Sequence, residues 1–503
     1  MLMKQHGTTV GVRIGAVLSA GLLASCSAGS TSTNIGRIAP GSVIVATTAA
    51  PASLDFTTTS GAAIPQALMG NVYETLVRIS DAGQPEPFLA ESWDVSDDRL
   101  EYTFHLKDGV TFSNGDAFTA DTAAFSIRYV LESWTNGLAK QMAPVEHVEV
   151  LGPLTLKVRL KAPSNSWLWS MGTLTGAMMT PGGIDTLATN PVGTGPFTVQ
   201  HFAVGESISF DAREDYWGTP AAQDAAIRYF ADAVSSVNAL RVGDVDMVWA
   251  LQAPELLRTV PEAFDVQVGT TNGEVLLSLN NKRAPFDDPT VRQAVAYAID
   301  RGALDDVVWS GLASDTGGAP VPPTDPWAEE KDYYPFNPDT ARELLAGREP
   351  EVTLTIPSLP YAQDAAELIY SQLKDVGFKV KLETVEFPAV WLSQVLKQGD
   401  YQASLIAHVE PRDMQTLFGN PEYYLGYDSA SVRKSFALAD EGTPEDQVTH
   451  MRAAVDTIMA DAGALTLVNM PNIVVTAPGV SGVDPNVITD GLVLSHVRKE
   501  GTP

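Results

Sequence analysis

Cysteine is almost missing from this chain. Of 503 residues only Cys26 carries a thiol. That excludes an intramolecular disulfide and a thiolate metal cluster. Basic residues are scarce too, with 32 Lys and Arg against 61 Asp and Glu, for a formal net charge of -29. Nucleic acid and anionic lipid surfaces repel such a chain. The acids are scattered rather than blocked, which is the pattern of a solvated surface. No hydrophobic run reaches the roughly 20 residues that span a bilayer. Short tandem repeats are lacking. So are a Gly-x-Ser-x-Gly elbow and a His-Glu-x-x-His helix, and the seven histidines fall at no metal-ligand spacing. These absences weigh against a hydrolase. What remains is ordinary globular material, 45% hydrophobic, long enough for two or three lobes with cores of their own.

The lone thiol has a telling position. Lys4 and Arg13 precede an apolar run, Ile14–Ala24, with no acid nearby. This is the pattern of a secretory signal. It ends in Leu23-Ala24-Ser25-Cys26, which resembles the bacterial lipobox. The resemblance implies a diacylglycerol thioether on Cys26, removal of residues 1–25 and a flexible tether over 26–39, rich in Ser, Thr and Gly. The chain is then expected to be exported and held by lipid on the outer face of the cytoplasmic membrane.

Strand and helix signals alternate through the rest. Tyr102, Phe104 and Leu106 alternate with polar residues, as in a half-buried strand. Thr119 is placed to cap a helix from Ala120. Val148 and Val150, then Gly152-Pro153, then Leu154 to Leu160 predict a hairpin. Ile64, Leu68, Val72 and Leu76 predict one helical face. Further on, Val352–Ile356 predicts a strand, and Ala365, Leu368, Ile369, Leu373 and Val376 a helix ended by Gly377. A strand over 378–382, a helix from Pro388 to before Gly399 and a strand over Tyr401–Ile406 follow. Such alternation implies parallel pairing with right-handed crossovers. Ligands of open parallel sheets sit beyond the carboxyl ends of strands, so the loops after Ile356 and Ile406 are the places to look.

Four stretches together resemble the family 5 extracellular solute-binding proteins of peptide and nickel importers. They are Pro51–Asp55 with Asn71–Val77; Pro87–Trp93 through Tyr102–Val110 to Thr119-Ala-Asp121; Pro191-Val-Gly-Thr-Gly-Pro-Phe197 with Tyr216-Trp-Gly218; and Asn280-Asn-Lys282 through Val291–Arg301. The resemblance implies an α/β, two-lobed periplasmic-binding-protein-like fold (type II, cluster C) with an extra subdomain in lobe one. Lobe I would comprise 40–64, 181–273 and 466–503, the inserted subdomain 65–180, and lobe II 274–465. Crossings near Thr271–Glu274 and Thr466–Pro471 would form a hinge, and Gly193–Pro196 a rigid turn between lobes. The implied function is capture of a short peptide by a monomer with no cofactor. Delivery to an ABC permease and its ATPase subunits would follow. A nickel or other metal chelate, haem or an oligosaccharide is the alternative cargo.

The resemblance also points to residues. Peptide-binding members hold the ligand amine with an acid after a late strand, and Glu410 falls at that position, with Asp413 next and His408 beside it. Ala407 and Met414 replace the usual tryptophan and proline. Tyr361 matches a tyrosine that faces the cleft, whereas Leu359 stands where dipeptide binders place an arginine, which favours longer peptides. Arg412 is expected either to meet a ligand anion or to pair with Asp413. Thr58, Thr59 and Ser60 lie in a loop that lines the cleft in relatives. Trp134 is expected to stack on a ligand or to be packed inside.

Overall fold

Period-two alternation and well-placed caps account for most of the local structure. A computed structural model describes residues 38–59, 61–489 and 491–500. Cys26, the tether and Ser60 lie outside the described residues. The first half opens with β1 (Val43–Thr47) and α1 (Ala63–Leu68). A four-stranded antiparallel sheet follows: β2 (Ala90–Val95), β3 (Glu101–Leu106), β4 (Val145–Gly152) and β5 (Thr155–Leu160), in the order β2-β3-β5-β4. In β3 the apolar residues Tyr102, Phe104 and Leu106 are buried while their neighbours are half-exposed. Against β4 and β5 lies α2 (Ala120–Ser133), opened by a Thr119–Thr122 capping box. After α3 (Asn165–Ser170) come β6 (Phe197–Ala203), β7 (Ser207–Ala212), β8 (Ala225–Tyr229) and β9 (Met247–Val248).

The long strand β10 (Asp265–Leu279) leads into the second half. There α4 (Pro289–Ala298), β11 (Glu351–Pro357), α5 (Pro360–Val376), β12 (Lys379–Val385), β13 (Ala403–His408) and α6 (Ala430–Glu441) follow in turn. The second long strand, β14 (Leu465–Thr476), returns to the first half. As the alternation predicts, β11 pairs in parallel with both β12 and β13, and Gly377 ends α5 in a left-handed conformation at φ 114°.

A single ten-stranded sheet runs through both halves in the order β12-β11-β13-β10-β14-β9-β1-β8-β7-β6. Residues 265–270 of β10 pair with 471–476 of β14; 274–277 pair with β14 and 274–279 with β13. Between these stretches the ladder breaks: Thr270 opposes Pro471, but Glu274 already opposes Asn469. Side chains replace the lost ladder bonds. Asn469 Nδ2 donates to the carbonyls of Thr271 and Gly273, both at 3.0 Å, and Thr271 Oγ1 donates to Met470 O at 2.8 Å. Apolar packing divides at the same place. One core gathers residues between Val275 and Val468. Another gathers residues of 43–249 with Val474 and 492–497. The four-stranded sheet shares that second core with β1, β6, β7 and β8 rather than building one of its own.

Three expectations change. The helix read through Val72 and Leu76 ends at Leu68: Met69 is extended, and Gly70 has φ 74°. Asn71 draws the chain away, donating to Leu492 O at 2.7 Å and accepting from the Leu494 amide at 2.9 Å. The helix after Pro388 starts as α over Ala389–Trp391 and widens to a π-helix over Leu392–Lys397. Gly193–Pro196 is not a turn between lobes but a close backbone crossing within the first half. A Cβ on Gly195 would stand 2.5 Å from Asn71 O, and one on Gly193 would collide with Val72 O.

Candidate functional site

Strand β13 ends beside the ladder break, and its last residue starts the candidate site. His408 Nε2 is 2.7 Å from Tyr424 Oη, and the two rings stack with centroids 5.8 Å apart. His408 Nδ1 faces Asp413 Oδ2 at 3.4 Å. The loop between them folds back, so that one ligand atom each of His408, Glu410 and Asp413 lies within 4.8 Å of the others. Glu410 is exposed, and its charge, with that of Asp413 and with burial as the main cause, lifts the Tyr423 phenol up to about 12. Tyr361, near the start of α5, is half-buried and its oxygen accepts the Ala407 amide at 2.9 Å. It thereby ties the carboxyl end of β13 to α5. The sequence showed no metal-ligand spacing, yet the loop gathers one imidazole and two carboxylates, a set that suits a divalent ion.

Arg412 departs from expectation. Its backbone is left-handed at φ 55°, which turns the side chain away from Glu410. Nε donates to Asp325 Oδ1 at 3.1 Å and Nη2 to Gly83 O at 2.6 Å. The guanidinium carbon lies 4.5 Å from the Trp169 ring centre and 4.6 Å from that of Trp327. Its carboxylate partner is Asp325, not Asp413, and Nε and Nη2 are held within the protein, so the expectation is corrected to a bridge. Gly83 and Trp169 belong to the first half, Asp325 and Trp327 to the second. Burial is the largest influence on Asp325 and pushes it up to about 6, with Arg412 acting against the rise and Asp413 adding to it.

A second bridge joins the halves. Asp440, near the end of α6, accepts from Ser164 Oγ at 3.0 Å and from the Ser166 amide at 2.8 Å, at the start of α3. In return Asn165 Nδ2 donates to Ala439 O at 2.8 Å and Gly442 O at 2.9 Å, and Arg99 Nη1 to Glu441 O at 3.2 Å. Each helix end supplies what the other lacks: a carboxylate where amides are free, donors where carbonyls are free.

The remaining candidates are structural in their contacts. Thr58 Oγ1 donates to Asp55 at 2.9 Å, and the Thr59 amide to Asp55 O at 3.3 Å. Ser60 lies outside the described residues. Trp134 is corrected from a stacking surface to a packed side chain: it is 7% exposed and meets Phe56 edge-on at 5.4 Å. A pocket of about 540 Å³ lined by Trp327, Lys331 and Tyr333 opens in the second half without including Glu410. Sequence reasoning missed Asp325, Trp169 and Trp327, which surround Arg412, and Glu274, which lies opposite His408, because only tertiary folding brings them there.

With the geometry described, the chain can be compared with known proteins. The model of bacterial extracellular solute-binding proteins, family 5 (middle region), matches residues 84–422. The chain belongs to this family. Heme-binding protein A of Haemophilus influenzae is 30% identical over 358 residues, covering 63% of this chain and 65% of that protein. The match thus spans about two-thirds of the length of such curated relatives. DppA from Helicobacter pylori, solved with the peptide STSA, has TM-score 0.75 and 24% identity, covering 92% of this chain and 98% of DppA. NikZ from Campylobacter jejuni, solved with Ni(L-His), has TM-score 0.76 and 19% identity, covering 92% and 100%. Both likenesses establish the two-lobed fold. Within that fold the family's sequence stretches are scaffold. Glu74 of the first accepts from Thr194 at 2.9 Å and from Tyr216 at 2.6 Å and Trp217 at 2.8 Å of the third. Arg292 of the fourth donates to the carbonyls of Phe286, Asp461 and Ala462.

Proposed function

We propose that this chain is the extracytoplasmic binding component of an ATP-driven importer, held to the membrane by lipid on Cys26. It captures a short peptide between its two halves and presents it to the permease. Lobe I is assigned to 40–64, 181–273 and 466–503, the inserted subdomain to 65–180 and lobe II to 274–465. The observation that carries the reading is Glu410: an exposed carboxylate at the carboxyl end of β13, beside the ladder break between the halves. There a desolvated ammonium finds a charged partner. The Arg412 and Asp440 bridges support capture by closure, because each joins the halves away from Glu410 and stabilises the closed arrangement.

Thermal-shift screening with tri- to octapeptides tests the proposal. Stabilisation by free-amine peptides supports it, and no stabilisation by any peptide removes it. The convergence of His408, Glu410 and Asp413 within 4.8 Å favours a second reading, a metal chelate as cargo. Nickel with and without free histidine in the same screen separates the two.

A further inference from the structure

Beneath the Glu410 loop, three adjacent strands place polar side chains on one face of the sheet. Glu274 of β10 lies directly opposite His408 of β13 and directly opposite Asn469 of β14, so the three side chains share a face. Thr466, opposite Leu276, falls on that face as well. Glu274 is 3% exposed, Asn469 1% and Thr466 0%. Yet Glu274 Oε1, Asn469 Oδ1 and Thr466 Oγ1 have no hydrogen-bond partner among the described residues. Buried polar atoms without partners are costly and rare. These are not random orphans: the carboxylate and the amide oxygen only accept, and the hydroxyl is free to accept too. The amide nitrogen of Asn469 is already committed to Thr271 O and Gly273 O.

The surrounding charges sharpen the mismatch. The charged neighbours acting on Glu274 are Asp413 and Asp325, both acids. The nearby cation, Arg412, is engaged with Asp325, Gly83 O and two tryptophan faces. His408 is engaged with Tyr424 and Asp413. From β14 come only the neutral Asn469 and Thr466. The face therefore holds acceptors and an excess of acid, with no free cation among the described residues and only the Thr466 hydroxyl left as a donor. It also lies where the strands part between the halves, so opening the hinge would uncover it.

We propose that Glu274, Asn469 and Thr466 form a second subsite that takes a cationic side chain, ammonium or guanidinium, of the bound peptide. The inference rests on the peptide reading and narrows it to peptides carrying a basic residue beyond the terminal amine held by Glu410. Burial, then Asp413 and Asp325, raise the Glu274 pKa well above the usual carboxylate range, while Thr466 acts against them. A docked cation lowers it again. Binding a basic peptide then releases a proton, and its affinity rises with pH until the free-protein pKa is passed. Asp325, Asp413, Glu410, His408 and Tyr424 face the same region. A neutral isostere of the ligand separates their contribution from that of Glu274.

The test is calorimetry on the full chain with tetrapeptides of alanine carrying lysine or norleucine in turn at positions two and three. It is run from pH 5.5 to 8 in buffers of different ionisation enthalpy. At one position lysine is expected to bind at least tenfold more tightly than norleucine and with a net release of protons. Glu274→Gln, checked for folding by thermal melt, is expected to keep norleucine affinity, to shrink the lysine preference below threefold and to abolish the release. Equal affinities for lysine and norleucine in the unaltered protein overturn the cation subsite and leave the peptide reading standing. An undiminished lysine preference in Glu274→Gln overturns it too. Failure of both peptides to bind refutes the peptide reading itself, and the subsite falls with it.

Discussion

Replacing Asp440 by alanine isolates the closing step from ligand chemistry. Asp440 sits on α6 of the second half, and its carboxylate accepts from Ser164 Oγ at 3.0 Å and the Ser166 amide at 2.8 Å in the first. Hydrogen bonds to a charged acceptor contribute about 1.5–3 kcal/mol. Asp440 is only half-buried, which places the loss toward the lower end. A ligand that binds the closed state senses this loss in full when the free protein is mainly open. At 1.4 kcal/mol per factor of ten, the dissociation constant is expected to rise about 10-fold and at most about 100-fold. Isothermal titration with any ligand found by the peptide screen reads the affinity. Small-angle X-ray scattering of the ligand-bound protein reads the shape, with a larger radius of gyration expected in the variant at subsaturating ligand. Unchanged affinity together with an unchanged radius would refute the idea that the α3–α6 contact holds the halves closed.

Glu410→Ala is expected to weaken free-amine peptides by tenfold or more and to leave N-acetylated peptides nearly untouched; equal losses in titration calorimetry would remove Glu410 from the amine role. Cys26→Ala is expected to abolish incorporation of labelled fatty acid and to release the protein from the membrane fraction; a variant still labelled and sedimenting with membranes would contradict anchoring at that thiol. Gly193→Ala forces a methyl group against Val72 O, so it is expected to destabilise by about 2 kcal/mol or more; differential scanning fluorimetry checks for a fall of several degrees, and an unshifted melt would deny the close crossing.

Local features were legible because their causes are local. Alternation marks β3, Thr119 caps α2 and Gly377 ends α5. Pattern also gave the parallel order of β11, β12 and β13, and with it the position of Glu410 beyond a strand end. Long-range features were not legible. Arg412 stands two residues after Glu410, and the sequence carries no sign that it takes a left-handed backbone and reaches Gly83 and Asp325, 329 and 87 positions away. Glu274 reads as an ordinary strand residue until β13 and β14 are paired to either side of it. The helical period through Val72 and Leu76 misled for the same reason, since both side chains are buried, but in a chain that Asn71 ties to Leu492.

The central claim, capture of a peptide, is tested most directly by what the protein carries when purified from its own cell. Denaturing the purified protein and identifying the released small molecules by mass spectrometry reads the cargo without a guess at its identity. The account predicts short peptides with a free amino terminus, enriched in those bearing lysine or arginine. Recovery of haem, a nickel chelate or a saccharide at stoichiometric amounts, with no peptide, would contradict it.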